Sequence, residues 1–210
     1  MTVPKTLAVV LAAGFFSTAT QAQVGNNSAV LNPNVADESQ LAGAAHLDTA
    51  LVDAILDQRP FADMLELNAL LSPSLSGAQR GEFYAEFFIP IDLNTASDPE
   101  IHLIPNMSDR MTHEFEEYRP YTSLVQFRRE MGKYVDEAEV ARLEQFVFVP
   151  LDLNSASEEE FAGVPGAGDR MVREFLEYRP YESMEQFRRE MGKYVDEDEV
   201  ARLERYMMIR

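Results

Sequence analysis

The residue run with the clearest chemistry is a five-residue turn that carries two glycines. It reads Val164-Pro165-Gly166-Ala167-Gly168. Glycine has no Cβ, so the two glycines allow a tight turn and a close approach of the backbone to a ligand. The free N–H groups at the start of a following helix can hold a phosphate, and arginines on that helix would add positive charge. The run and the helix that follows it are therefore a candidate phosphate-binding site, formed by Pro165, Gly166, Ala167, Gly168, Arg170 and Arg173.

Residues that could support other chemistry are scarce. The chain has no cysteine, which excludes disulfides and thiolate metal sites. Its three histidines, His46, His102 and His113, do not form a ligand spacing such as H-E-x-x-H. The sequence contains no Gly-x-Ser-x-Gly or Walker motif, and carboxylate pairs such as Glu116-Glu117 fall on expected solvent faces rather than in the pocket that a catalytic pair needs. We therefore expect a non-catalytic protein with no cofactor and no metal site.

The elements that position the turn belong to a sixty-residue sequence repeat that occurs three times. Residues 91–150 (repeat 2) and 151–210 (repeat 3) align without a gap and share 36 identical positions. A diverged copy occupies 31–90 (repeat 1), where Arg59-Pro60-Phe61 matches Arg119-Pro120-Tyr121. Repetition at this period predicts stacked copies of one supersecondary unit. Such repetition is more typical of binding proteins than of enzymes, which need one asymmetric site.

Helix starts recur at matching places in these repeats. The pattern Ser/Thr/Asp-x-x-Glu/Gln is a capping box, in which two side chains satisfy each other's backbone donors. In repeat 3, helical spacing of apolar residues between the boxes predicts helices near 157–163, 169–179, 183–191 and 196–207. The second should end at Arg179-Pro180, because proline disfavours helix in the preceding residue. The boxes begin at Asp37, Asp63, Ser97, Ser123, Asp136, Ser157, Ser183 and Asp196.

The expected fold is therefore all-α. It is a tandem array of three small four-helix units joined by short extended linkers, with the first unit diverged. The run 146–151 predicts one such linker, packed on the next unit. Phe175 and Leu203 lie at core spacing and should be buried in repeat 3.

The turn at 164–168 resembles the helix-hairpin-helix motif. Its surroundings, Leu153-Asn154-Ser155-Ala156-Ser157 upstream and Glu177-Tyr178-Arg179 at the end of the next helix, resemble the ComEA-type domain of bacterial competence DNA receptors. Repeat 2 carries the same frame, so the resemblance covers 91–210 well and 31–90 faintly. It implies a non-catalytic, extracytoplasmic DNA-binding module built from paired hairpins.

The other turns depart from that family where a phosphate would bind. Repeat 2 reads Ile104-Pro105-Asn106-Met107-Ser108, without glycine, and repeat 1 has Ala44-Ala45-His46-Leu47-Asp48. The second hairpin, at 194–196 in repeat 3, also lacks glycine. Asp109 and Asp169 directly follow the first hairpins of repeats 2 and 3, where we expect them to cap the helix and occupy the position of a phosphate. We therefore expect five of the six turns to be lost as phosphate sites.

The net charge of the chain bears on two possible kinds of partner, another protein and duplex DNA. The formal net charge is −18, and each repeat is acidic. Such a field repels nucleic acid at long range, which favours a binding or scaffolding role towards another envelope protein. Weak, non-specific binding of duplex DNA through repeat 3 is the alternative. A basic strip could support it unless its members pair with carboxylates; it comprises Arg188, Arg189 and Lys193, matched by Arg128, Arg129 and Lys133.

The first residues indicate export. Lys5 is a minimal positive region, 7–16 is an apolar core too short to span a bilayer, and Thr20-Gln21-Ala22 is an acceptable cleavage site. This pattern predicts a signal peptide over 1–22, a flexible leader over 23–30, and a periplasmic or secreted protein without a membrane span after cleavage. An uncleaved membrane anchor is the alternative.

Overall fold

The computed structural model describes residues 29–210, so the predicted signal peptide and leader residues 23–28 lie outside it. The described part is mostly helical, which confirms the helical character predicted from the sequence. No helix within it is long and apolar enough to cross a membrane. The helices are α1 (Glu38–Ala42), α2 (Thr49–Gln58), α3 (Met64–Leu71), α4 (Gly77–Glu86), α5 (Asp98–Ile101), α6 (Asp109–Glu117), α7 (Leu124–Met131), α8 (Glu137–Glu144), α9 (Glu158–Ala162), α10 (Asp169–Glu177), α11 (Met184–Met191) and α12 (Glu197–Glu204).

Capping explains where these helices begin. Asp37 and Ser157 each form a reciprocal capping box with the residue three positions on, as predicted. Ser97 precedes α5 but makes no side-chain cap bond. Five further predicted boxes form only the cap bond and lack the reciprocal one, so six of the eight predicted boxes are wrong; the five begin at Asp63, Ser123, Asp136, Ser183 and Asp196. A box that the sequence analysis missed starts α4, where Ser76 and Gln79 satisfy each other. The four helices of repeat 3 lie at the predicted places, and α10 ends two residues before Arg179, ahead of the proline.

Four two-residue strands accompany the described helices. They are β1 (Ile91–Asp92), β2 (Val147–Phe148), β3 (Leu151–Asp152) and β4 (Met207–Met208). β1 pairs with β2 and β3 with β4, both in parallel, and an isolated parallel bridge joins Leu31 to Phe87. The predicted linker 146–151 therefore also forms strand pairs. β2 pairs with β1 at the start of repeat 2, and the last residue of the linker begins β3, which pairs with β4 in repeat 3.

The buried apolar residues form two clusters. One runs from Val30 to Val149 and joins repeats 1 and 2, with Phe88 packed edge-on against Phe146 at 5.1 Å between ring centroids. The other runs from Phe148 to Met207 and belongs to repeat 3. Repeats 1 and 2 thus share a core, whereas repeat 3 has its own. Phe175 and Leu203 are fully buried in the second cluster, as predicted.

The C-terminal stretch of repeat 3 lies against repeat 1. The amide of Asn32 donates to the Tyr206 hydroxyl at 3.4 Å, and the guanidinium of Arg205 donates to the Pro90 carbonyl at 3.3 Å. These bonds span 174 and 115 residues of sequence. Repeat 3 therefore packs on repeat 1 as well as following repeat 2 along the chain.

Candidate functional site

The backbone of the first hairpin has the same form in all three repeats. Gly166 has a φ of +76°, and the residues at the equivalent positions, Asn106 and His46, have φ values of +61° and +69°. These are left-handed conformations, which asparagine and histidine adopt more readily than most residues. The expectation that the turn had decayed where glycine was lost is therefore corrected for the backbone: the turn persists without glycine.

The hairpins differ at the start of the helix that follows. Ser108 caps α6 and Asp48 caps α2, each with its side chain accepting a backbone N–H three residues on. Gly168 caps α10 and has no side chain to accept such a bond. Because the first N–H groups of a helix attract anions, the side chains of Ser108 and Asp48 already serve two of these helix starts. The start of α10 has no such internal acceptor.

The aspartates after the turns are not the caps that the sequence suggested. Asp109 and Asp169 are the first residues of α6 and α10. The carboxylate of Asp109 contacts the imidazole of His102 at 3.1 Å. Asp169 is exposed in the first turn of α10. Its charge lies beside the open N-terminus without filling it.

The six residues of the predicted phosphate site do lie together. Gly166, Gly168, Arg170 and Arg173 are exposed, while Pro165 and Ala167 are half-buried. The guanidinium of Arg170 stacks 5.0 Å from the centre of the Tyr194 ring. Arg173 makes no ion pair within residues 29–210. The structure therefore brings two exposed arginines to the helix start that lacks a side-chain cap.

An arginine of the last helix holds each of the two later hairpins. Arg202 donates to the Pro165 carbonyl and forms a two-pronged bond with Glu199. Arg142 donates to the Pro105 carbonyl at 2.8 Å and pairs with its own helix in the same way. Arg202 is 4% exposed, so its charge is turned inward. These arginines stabilise the hairpin and are not offered to a ligand on the surface.

One face of the repeat 3 hairpin is closed by packing. A Cβ added at Gly166 would lie 2.7 Å from both Nη2 of Arg202 and Cγ1 of Val35. Val35 belongs to repeat 1, so the first repeat covers this side of the turn. A Cβ added at Gly168 would meet nothing within 4 Å, and its φ of −73° is ordinary. Of the two glycines expected to be essential, only Gly166 is required by the turn.

The basic strip is neutralised by carboxylates of the same chain. Arg188 makes a two-pronged bond to Glu204, while Arg189 and Lys193 both bond Glu190. Lys193 and Arg189 hold the pKa of the Glu190 carboxyl below its usual range, which keeps these pairs charged at neutral pH. The same three pairings recur in repeat 2 between Arg128 and Glu144 and between Glu130 and its neighbours Arg129 and Lys133.

A second duplicated cluster was missed by the sequence analysis. The hydroxyls of Tyr178 and Tyr194 bond at 2.9 Å, and Lys193 stacks on the Tyr178 ring. Repeat 2 repeats this contact between Tyr118 and Tyr134 at 2.7 Å. The corresponding residues of repeat 1 are Gln58 and Ser74, so the cluster is absent there. The identity of repeats 2 and 3 at tyrosines that repeat 1 lacks was the signal that could have revealed it.

The histidines all contact carboxylates. His46 meets Glu82 at 2.6 Å, and His113 meets Glu117 at 3.4 Å. Among residues 29–210, no group of three or more histidine, aspartate or glutamate side chains is placed to hold a metal ion.

No known protein family, no curated protein and no solved structure matches this chain.

Proposed function

We propose that this chain is a non-catalytic, extracytoplasmic helix-hairpin-helix repeat protein that acts as a binding or scaffolding module for protein partners. Its working part would be a tandem array of three units, 31–90, 91–150 and 151–210. The observation that carries the proposal is the pairing of the basic strips. Six cations that could have faced a nucleic acid instead bond carboxylates of the same chain.

Electrostatics supports a protein partner over DNA. A chain with a formal charge of −18 repels a polyanion beyond the range of direct contact. Binding to duplex DNA draws its affinity from lysines and arginines that release counterions from the phosphates. Paired cations contribute less to that release, because their carboxylate partners would have to be displaced.

The repeated hairpins also suit a scaffold. Their left-handed turns are kept at His46, Asn106 and Gly166 although the residue type changes each time. Arg142 and Arg202 hold two of them against the last helix of their repeats. A turn that keeps its shape while losing glycine supports a structural use of the motif.

Affinity capture from the envelope of the host would test this proposal. The purified protein is immobilised, retained proteins are identified, and binding is then measured with the purified partner in solution. We expect saturable binding that an excess of duplex DNA does not displace. A variant lacking 151–210 is the control, because repeat 3 has its own core. Failure of every retained protein to bind in solution would refute the proposal.

DNA binding is kept as a second candidate because of one feature, the open start of α10. Gly168 supplies no side-chain cap there, and Arg170 and Arg173 are exposed on the same helix. A phosphate could accept hydrogen bonds from the free N–H groups of α10, as the Ser108 side chain does for α6. A salt titration of fluorescent duplex DNA against the protein tests this candidate.

A further inference from the structure

Repeat 3 carries an open groove between α11 and α12. Its volume is about 710 Å³. Val195, Val200 and Ala201 contribute apolar surface, and Arg188 and Glu204 bridge the two helices at 2.5 Å. Ala201 is exposed, and the Arg188 side chain is half exposed. The groove thus combines apolar surface with a rim whose charges already pair with each other.

The equivalent groove of repeat 1 faces a hairpin. It lies between α3 and α4, where the Tyr84 hydroxyl bonds the Asn68 side chain at 2.9 Å, at the positions of Glu204 and Arg188. The repeat 2 turn forms the opposite wall, and a cavity of only about 200 Å³ remains. Below it, α3 packs against α5 in the shared core of repeats 1 and 2. The opposite wall consists of His102, Leu103, Ile104, Pro105, Asn106 and Met107.

Repeat 1 presents the complementary half at the other end of the described chain. Its hairpin has the same left-handed turn, at His46, as the repeat 2 hairpin has at Asn106. Ala45 and His46 are exposed, and they align with Pro105 and Asn106, which face the groove of repeat 1. Residues 29–210 therefore contain a hairpin without a facing groove at one end and a groove without a facing hairpin at the other.

We propose that the groove of repeat 3 receives the 44–48 hairpin of a second copy of this chain, so that molecules assemble head to tail. The contact would continue, between molecules, the one that already joins repeats 1 and 2. Two different surfaces meet in such a contact, so it produces rings if the rotation closes and filaments if it does not. It deepens the proposed binding function by naming one partner, and it is tested with pure protein.

Charge and size define how the assembly should behave. Each molecule carries −18, so neighbours repel one another at long range and added salt should strengthen the contact. Binding of DNA has the opposite salt dependence. One hairpin in one groove buries less surface than a standard stable interface. The association should therefore be weak and depend on protein concentration.

Sedimentation velocity of the purified protein, up to about 1 mM and at about 50 and 500 mM salt, measures the assembly. We expect the mean mass to rise with concentration and to rise further at the higher salt. Ala201→Arg blocks the groove and Ala45→Arg blocks the hairpin, and each variant alone should stay monomeric. Val125→Arg adds the same charge at an exposed side chain that lines neither the groove nor the hairpin and should assemble like the unmodified chain.

Mixing the two blocked variants gives the decisive result. Ala201→Arg keeps its hairpin and Ala45→Arg keeps its groove, so an equal mixture should form dimers and nothing larger. Circular dichroism confirms that each variant is folded. A monomer at every concentration, assembly that survives Ala201→Arg, or a mixture that stays monomeric would overturn the inference. A chain that binds an envelope protein yet stays monomeric would refute head-to-tail assembly while leaving the proposed function intact.

Discussion

The hairpins of repeats 2 and 3 have the same left-handed turn but a different cap on the helix that follows. Asn106 and Gly166 both take the left-handed conformation, and Arg142 and Arg202 hold both turns by a carbonyl. The cap differs, because a serine side chain serves the helix start in repeat 2 whereas Gly168 leaves it open in repeat 3. Turn shape and helix capping therefore depend on different residues, two positions apart.

The two hairpins also rest on different cores, and this difference gives the largest expected effect. Phe175→Ala empties a fully buried site in the core of repeat 3 and should lower the free energy of unfolding by about 3–5 kcal/mol. Phe115→Ala makes the matching change in the core shared by repeats 1 and 2. Denaturant unfolding measures both.

Because the two cores are separate, each of these two variants should destabilise a different part of the chain. Phe175→Ala should loosen repeat 3 first, which amide hydrogen exchange would report as faster exchange confined to 151–210, whereas Phe115→Ala should affect 31–150. Val125→Ala, at a side chain that is 63% exposed, is the control and should change little. A loss below about 1 kcal/mol for Phe175→Ala would mean that the core of repeat 3 is wrongly placed.

The next effect concerns the turn itself. Gly166→Ala combines a positive φ with a Cβ that would lie 2.7 Å from Val35 and Arg202, so it should destabilise the chain by about 1–3 kcal/mol. Gly168→Ala, two residues on, meets nothing within 4 Å and should be close to neutral. Thermal unfolding of the two variants makes the comparison. Equal losses for both would contradict the separation of turn shape from cap.

A smaller effect depends on pH and occurs in repeat 2 alone. Bonds to the Asp98 carbonyl and the Asp109 carboxylate raise the pKa of His102 above 6.5. Since the folded pKa lies above the unfolded one, the stabilisation is present below about pH 6.5 and is lost as pH rises through the folded pKa. Repeat 3 has Ala162 at this position.

His102→Ala tests that assignment. The difference in melting temperature between the unmodified chain and this variant should be a few degrees at pH 5.5 and should shrink towards pH 8. His113→Ala controls for the loss of a surface imidazole. A difference that stays constant with pH, or grows as pH rises, would show that protonated His102 does not stabilise the hairpin.

Local patterns predicted the helices well because caps and apolar spacing act within a few residues. They failed for the second bond of most capping boxes and where a distant group intervenes. At Ser97, the expected partner Glu100 is buried against repeat 1, where α5 packs on α3. The contact between Asn32 and Tyr206 also has no local signal, because it depends on how repeat 3 folds back.

The candidate site was predictable in part. The identities of Gly166, Gly168, Arg170 and Arg173 were enough to place them together at one helix start. The sequence could not show that Asn106 keeps the same turn, since left-handed geometry in a non-glycine residue depends on the surrounding contacts. The sequence also placed the cap of α10 one residue too late, at Asp169. An aspartate at the cap and an aspartate in the first turn give the same sequence pattern.

The smallest expected effect comes from exchanging the caps of α6 and α10, which tests the DNA alternative directly. Duplex DNA should bind the unmodified chain no tighter than about 10⁻⁴ to 10⁻⁶ M at physiological salt. Gly168→Ser gives α10 the side-chain cap of α6 and should weaken that binding by about two- to fivefold, the contribution expected of an anion at a helix start. Arg173→Ala should lower the salt slope by about one unit. Ser108→Gly, the reverse exchange in repeat 2, is the matched variant and should strengthen binding slightly.

The outcome separates the two readings of the hairpin. Submicromolar affinity at physiological salt that Gly168→Ser abolishes would make this chain a DNA receptor, because the open cap would then carry the binding. Equal affinity in the unmodified chain, Gly168→Ser and Ser108→Gly would mean that any DNA contact bypasses the hairpins. Absence of binding even at low salt, where phosphate contacts are strongest, would leave the motif to its structural use. The missing cap at Gly168 would then reflect only that α10 is held by its packing, through Met171, Val172 and Phe175, without help from a side-chain cap.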